Sequence, residues 1–211
     1  MSFPKGLIFD LDGVIVTTEH NHYVAWKRTA DQLGVPFSEK ENEQLKGLSR
    51  IDSLKKILEL GNLPEMDETT FNKLLTEKNN FYKDSIQNLS RKDCLPGVIE
   101  LLDSAKEKNI PMAIGSSSKN APFIIDKLEL KHFFEIIVDG TMVEQPKPHP
   151  EVFLNAAKFM NLKPEDCIVF EDAESGVKAA KSGGFLAIAV GNENIASLAD
   201  KYISSLTEFN L

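Results

Sequence analysis

The stretch GLIFDLDGVIVT, residues 6–17, decides the fold. It opens with a short apolar run that ends at Phe9, and a continuous rather than alternating apolar run is typical of a strand buried on both faces. Asp10 follows this run directly, and Asp12 comes two residues later. Ligands of open parallel sheets bind at the carboxyl ends of the strands, so the stretch predicts a buried strand with two carboxylates at the binding edge.

Short apolar runs recur along the rest of the chain, each followed by polar residues or glycine. They occupy residues 110–114, 136–138, 168–170 and 186–190. Helical patterns lie between them and begin near Pro96, Pro150 and Ser175. This alternation predicts an α/β fold with a doubly wound parallel sheet and helices on both faces.

One long segment, residues 18–92, has helical patterns and no convincing strand. Its helices are expected over residues 22–33, 49–60 and 67–87, with a short one after Ser38, which forms a capping box with Glu41. The sequence therefore predicts a catalytic core of residues 1–17 and 93–211 and an inserted all-helical cap of residues 18–92. The two chain crossings between them are expected to act as a hinge.

The composition limits the possible partners. The chain has 211 residues and a formal net charge of −8, and it contains no run rich in lysine or arginine, which argues against a nucleic-acid partner. Its two cysteines, Cys94 and Cys167, have no zinc or redox spacing. We find neither a targeting signal nor an apolar run of about 18 residues. We expect a monomeric cytoplasmic protein without a membrane partner.

Six polar side chains are predicted to meet at the carboxyl edge of the sheet. They are Asp10, Asp12, Ser116, Glu171 and Asp172 at strand ends, and Lys147 in a Pro-Lys-Pro-His-Pro loop. Four carboxylates repel one another unless a cation lies among them, and carboxylate oxygens suit Mg²⁺. Asp10, Asp12, Glu171 and Asp172 are the candidate metal ligands, although Asp172 could bind the ion without Glu171. Ser116 could instead be a helix N-cap.

These groups suit phosphoryl transfer. Asp10 can attack phosphorus to give an aspartyl phosphate, and Asp12 can act as general acid and base toward a hydroxyl group. Lys147 and Mg²⁺ would neutralise the phosphoryl group in transit.

Four motifs resemble those of the haloacid dehalogenase-like phosphotransferases. They are FDLDGVIV, Ser116 after a strand, Lys147 in PKP, and FEDAESGVKAAKSGG with Glu171 and Asp172. They occur in the family's order and span essentially the whole predicted core. The resemblance implies an aspartyl-phosphate enzyme with a cap domain. Thr17 stands where the family usually has an acidic residue, which bears on the hinge rather than the chemistry, and Ala173 replaces a common serine.

Three further segments resemble the β-phosphoglucomutase group of this family. They are residues 22–26, 45–53 and 116–123. The resemblance assigns substrate binding to His22, Trp26, Lys46, Gly47, Arg50, Ser118, Lys119 and Asn120. In this assignment Arg50 holds the phosphate that is not transferred, while Lys46 and His22 contact the sugar and report cap closure to Asp12. A guanidinium group at a helix N-terminus suits a phosphate, whereas an aromatic residue such as Trp26 is more often part of the cap core than a ligand.

The resemblance implies interconversion of β-glucose 1-phosphate and glucose 6-phosphate through a bisphosphate. A Mg²⁺-dependent sugar-phosphate phosphatase, in which water discharges the aspartyl phosphate, is the alternative with the same chemistry. A binding module without activity would be expected to have lost Asp10, Asp12 or Lys147, and a dehalogenase needs neither Asp12 nor a metal cluster. A small sugar phosphate is therefore the expected ligand.

Overall fold

The computed structural model describes residues 4–45 and 48–211. It contains a six-stranded parallel sheet with the order β3-β2-β1-β4-β5-β6. The strands are β1 (Gly6–Phe9), β2 (Met112–Gly115), β3 (Ile136–Val138), β4 (Cys167–Glu171), β5 (Leu186–Val190) and β6 (Lys201–Ile203). The doubly wound parallel sheet is thus confirmed. The sequence did not predict β6, since only Ile203 of its three residues is buried and no apolar run marks it.

Helices occupy the connections between these strands and the predicted insert. They are α1 (Glu19–Gln32), α2 (Glu39–Glu43), α3 (Arg50–Leu60), α4 (Glu68–Ser85), α5 (Val98–Glu107), α6 (Ala121–Lys127), α7 (Glu151–Phe159) and α8 (Glu174–Ser182). Right-handed crossovers place α5 and α6 on one face of the sheet and α7 and α8 on the other. Phe153 of α7 and Val177 of α8 accordingly share one core cluster with Val169 of β4. The sequence predicted a helix between β2 and β3 without bounds, and α6 is that helix.

The register of the central strands sets the level of the polar residues. Phe9 of β1 pairs with Phe170 of β4 and with Ile114 of β2. Asp10, one residue beyond Phe9, therefore lies at the level of Glu171, and its N–H donates to the carbonyl of Phe170 at 2.9 Å. Strand connections diverge to opposite sides between β1 and β4, which is where ligands of open α/β sheets bind.

The chain divides into two compact units. One ends at Thr17 and resumes from Leu89 to Leu211, and the other runs Thr18–Asn88. The second boundary, between Asn88 and Leu89, lies four residues before the one expected after residue 92, and within the sheet unit Cys94 forms a bridge with Val16.

In the second unit, all regular secondary structure of residues 18–45 and 48–88 is helical, as the sequence predicts. The capping box is present, since Glu41 accepts from the N–H of Ser38 at 2.9 Å. A cluster that includes Trp26, Leu54 and Ile57 forms its core. Of the helices that the structure describes in the two units, none has the length and apolarity that a membrane crossing requires.

Candidate active site

Lys147 joins the ends of two strands. Its Nζ donates to Asp10 Oδ1 at 2.5 Å and to Glu171 Oε2 at 2.8 Å. All three side chains are almost entirely buried, and Glu171 is only 1% exposed. The structure thus unites three of the motifs that the sequence places far apart, in an environment where an ion pair is weakly screened.

Three carboxylates form a group that could hold a metal ion. Oxygens of Asp10, Glu171 and Asp172 all lie within 4.8 Å of one another. A set made only of carboxylate oxygens fits a hard cation, so these residues fit the predicted Mg²⁺. Among the described residues, Asp12 does not belong to this group, although its charge acts on Asp172. A role for Asp12 as a metal ligand therefore has no support from this grouping.

The pKa values at this edge show an excess of negative charge. Burial, and then the neighbouring Asp10, raise the pKa of Glu171 to about 7 and that of Asp172 to about 8. Burial would lower the pKa of Lys147, but Asp10 and Glu171 outweigh burial and raise it. One ammonium group therefore does not balance the three carboxylates, and a bound cation would complete the neutralisation.

Two glycines make room for these carboxylates. A Cβ atom on Gly13, whose φ is +91°, would lie 2.0 Å from Asp172 Oδ2. A Cβ atom on Gly176 would lie 2.0 Å from the carboxyl carbon of Glu171. Any larger residue at either position would have to displace a carboxylate of the group.

Ser116 lies just beyond β2 and is buried. Its Oγ accepts from the N–H of Ser118 at 3.1 Å, and Ser118 Oγ accepts from the N–H of Asn120 at 3.2 Å. The N-cap of α6 is Asn120, so the alternative that Ser116 is an N-cap is wrong. This turn brings Ser116, Ser118, Lys119 and Asn120 together at the carboxyl end of β2.

The helical unit contains its own polar cluster, around Lys78. Lys78 Nζ lies 2.9 Å from His22 Nδ1, and it lies 4.5 Å from the ring centre of Trp26 and 5.0 Å from that of Tyr82. The His22 ring is tilted on Tyr82, with 4.0 Å between ring centres. Lys78 is only 4% exposed, and no carboxylate of residues 4–45 or 48–211 forms an ion pair with it.

Arg50 contributes to the same electrostatic environment. It is the first residue of α3, and the N-cap Ser49 accepts from the N–H of Asp52 at 3.1 Å, as expected for this helix start. Burial, and then the charge of Arg50, lower the pKa of Lys78 to about 7. The pKa of His22 is also lowered, by burial first and then by Lys78 and Arg50. Within residues 4–45 and 48–211 neither Lys78 nor Arg50 forms an ion pair with a carboxylate, and two such cations favour an anionic ligand. Lys46 and Gly47 lie outside the described residues.

Sequence reasoning missed Lys78 and its neighbours. Lys78 follows Leu75 by three residues and precedes Tyr82 by four, and all three are buried on α4. A lysine at an inward position of an amphipathic helix was the available signal. Tyr82 in turn bonds through its hydroxyl to Thr18 Oγ1 at 2.8 Å, and both side chains are fully buried.

Comparisons with known proteins identify the family of the chain. A family model described as haloacid dehalogenase-like hydrolase matches residues 7–190. A β-phosphoglucomutase of Bacillus subtilis is 41% identical over 98% of this chain and 92% of its own length. A phosphatase of phosphorylated carbohydrates from Thermotoga maritima is 31% identical over 85% of this chain and 82% of its own. A crystal structure of β-phosphoglucomutase from Clostridium difficile superimposes with a TM-score of 0.92 and 38% identity, covering 99% of this chain and 94% of that one.

Proposed function

The chain belongs to the haloacid dehalogenase-like hydrolase family, and we propose that it is a β-phosphoglucomutase, which interconverts β-glucose 1-phosphate and glucose 6-phosphate. The observation that carries the choice of a mutase is the cluster of Lys78, His22 and Arg50. A bisphosphate intermediate has a second phosphate that must be bound while the first is transferred. Cations that lack a carboxylate partner suit that phosphate.

The unit that contains the sheet is proposed to carry out the transfer. A carboxylate oxygen of Asp10 attacks one phosphorus of glucose bisphosphate, the bond from that phosphorus to the sugar oxygen breaks, and Asp12 gives a proton to that oxygen, which leaves a glucose monophosphate. In the second step, another sugar hydroxyl loses its proton to Asp12 and attacks the aspartyl phosphate, which restores Asp10. Lys147 already contacts Asp10 at 2.5 Å, so its charge is in place for the oxygens of the phosphoryl group.

Asp10, Glu171 and Asp172 would hold Mg²⁺, which when bound would neutralise charge on the phosphoryl group. Ser116, with Ser118, Lys119 and Asn120 behind it, is proposed to bind phosphate oxygens. The helical unit is proposed to act as the cap and to select the sugar phosphate through Lys78, His22, Trp26 and Arg50. Lys46 and Gly47 remain candidates for the same role from the sequence alone.

A sugar-phosphate phosphatase is the second candidate. It is supported by the phosphatase of Thermotoga maritima and by a fructose-1-phosphate phosphatase of Escherichia coli that is 31% identical over 88% of this chain. Both candidates make the same phosphoenzyme at Asp10 and differ in whether a sugar or water accepts the phosphoryl group.

The deciding experiment measures that partition. The enzyme is phosphorylated with labelled glucose bisphosphate in Mg²⁺ and mixed with β-glucose 1-phosphate, and label is counted in bisphosphate and in free phosphate. We expect transfer to the sugar to dominate at saturating acceptor. Asp10→Asn should abolish both products and leave the circular dichroism spectrum unchanged. A product that is mainly free phosphate at saturating acceptor would replace the mutase with the phosphatase.

A further inference from the structure

The loop that carries Lys147 is tied to α7 by one carboxylate. Residues 139–150 connect β3 to α7 without a strand or a helix. Glu151, the first residue of α7, accepts from the N–H of Glu144 through Oε1 at 3.0 Å and from the N–H of Gln145 through Oε2 at 2.9 Å. The two oxygens of one side chain therefore hold two consecutive peptide groups.

Lys147 lies at the tip of the segment that this contact closes. The N–H of His149 donates to the carbonyl of Pro146 at 3.0 Å, which makes a turn around Lys147. The imidazole of His149 in turn accepts from the N–H of Glu151 at 3.3 Å. These bonds connect the two ends of residues 144–151, and Lys147 lies between those ends with its ammonium group between two buried carboxylates.

A second contact from α7 holds the earlier part of the same loop. Asn155, one turn beyond Glu151, donates from Nδ2 to the carbonyl of Met142 at 3.2 Å. Glu151 itself stands apart from the carboxylate group around Asp10. The two N–H bonds also lower the pKa of Glu151, so the carboxylate is charged at neutral pH.

We propose that Glu151 is a positioning residue that holds the Lys147 loop and thereby keeps the ammonium group in contact with Asp10, an inference that rests on the proposed phosphoryl transfer. A first-turn acid also stabilises a helix through the helix dipole. The test must therefore separate that general effect from control of Lys147.

Glu151→Gln is the variant that makes this separation. It keeps the size of the side chain, but it leaves one accepting oxygen and turns an amide NH₂ toward the second peptide N–H. Glu68→Gln is the matched control, because Glu68 is likewise the first residue of a helix, α4, and is exposed.

Two quantities are measured on the full chain. The first is acylation of Lys147 by an N-hydroxysuccinimide acetate reagent, read by mass spectrometry. Lys78, buried in the other unit, is the internal reporter of global opening. The second is the single-turnover rate of Asp10 phosphorylation by an aryl phosphate in Mg²⁺. For Glu151→Gln we expect about tenfold more acylation at Lys147 and no increase at Lys78. The transfer rate should be about tenfold lower, and KM should change less than about twofold. A tenfold change corresponds to the loss of one charge-assisted hydrogen bond.

Equal increases at Lys147 and Lys78 would overturn the proposal, because they would show that Glu151 only stabilises the fold. Unchanged acylation at Lys147 would overturn it too, whatever the transfer rate. An increase confined to Lys147 supports it. A wild-type enzyme without phosphoryl transfer would defeat the proposed function, while the acylation pattern would still decide the role of Glu151.

Discussion

Replacing Gly176 with alanine should destabilise the protein, although the same change in a helix ordinarily stabilises. Gly176 lies in the first turn of α8, where alanine is favoured over glycine by about 1 kcal/mol. The new Cβ atom, however, would lie 2.0 Å from the carboxyl carbon of Glu171 and 2.2 and 2.4 Å from its oxygens. Because non-bonded carbon atoms prefer about 3.5–4.0 Å, the carboxylate must move by about 1.5 Å.

This movement breaks the contacts that hold Glu171. Its bond from Lys147 at 2.8 Å and its bond from the N–H of Ala173 at 3.1 Å would both pass the limit for a hydrogen bond. Each charge-assisted bond contributes about 1.5–3 kcal/mol, so their loss outweighs the helical gain. The expected net loss in the free energy of unfolding is about 2–5 kcal/mol.

A double-mutant cycle isolates this clash. In a Glu171→Ala background the Cβ atom has room, so Gly176→Ala should leave stability unchanged or raise it by up to about 1 kcal/mol. The free energy of unfolding is measured by urea denaturation for the wild type, both single variants and the double variant, without metal. If Gly176→Ala has the same effect in both backgrounds, the steric reasoning is refuted.

Three further predictions concern charge. In the metal-free protein, the free energy of unfolding should fall as pH rises from about 4 to 8. The pKa values of Glu171 and Asp172 are about 7 and about 8 in the folded state and about 4 in the unfolded state, so the folded state binds more protons in this range. Urea titrations should show that Mg²⁺ flattens this pH dependence, and stability that rises with pH would contradict the prediction. Arg50→Ala should slow turnover of glucose bisphosphate roughly tenfold to a hundredfold, because it removes about 1.5–3 kcal/mol of phosphate binding. The rate with an aryl phosphate should fall less. Equal losses of rate with both substrates would show that the role of Arg50 is structural. Lys78→Met should raise the melting temperature by a few degrees, because it removes a buried cation that has no carboxylate partner in residues 4–45 and 48–211, yet it should weaken binding of the sugar phosphate. A lower melting temperature would show that Lys78 stabilises the unit.

The local parts of the fold could be predicted because their signals lie within a few residues. Continuous apolar runs marked β1 to β5, and the Ser38 capping box marked α2. The strand β6 was not predicted, and α6 was predicted only without bounds, because both elements are short. The order of the strands in the sheet was not predicted, because an apolar run marks a strand but does not show which strands are its neighbours.

The sequence by itself determined which residues end the strands, and therefore that Asp10, Ser116 and Glu171 belong to one edge of a parallel sheet. Only the tertiary structure decided which side chains meet there. Lys147 is part of a loop without regular structure, and its contact with Asp10 depends on backbone held by Glu151. The inward position of Lys78 likewise depends on packing against other helices. Motifs encode local geometry, whereas contacts between distant segments are fixed by packing and by hydrogen bonds that no short stretch of sequence contains.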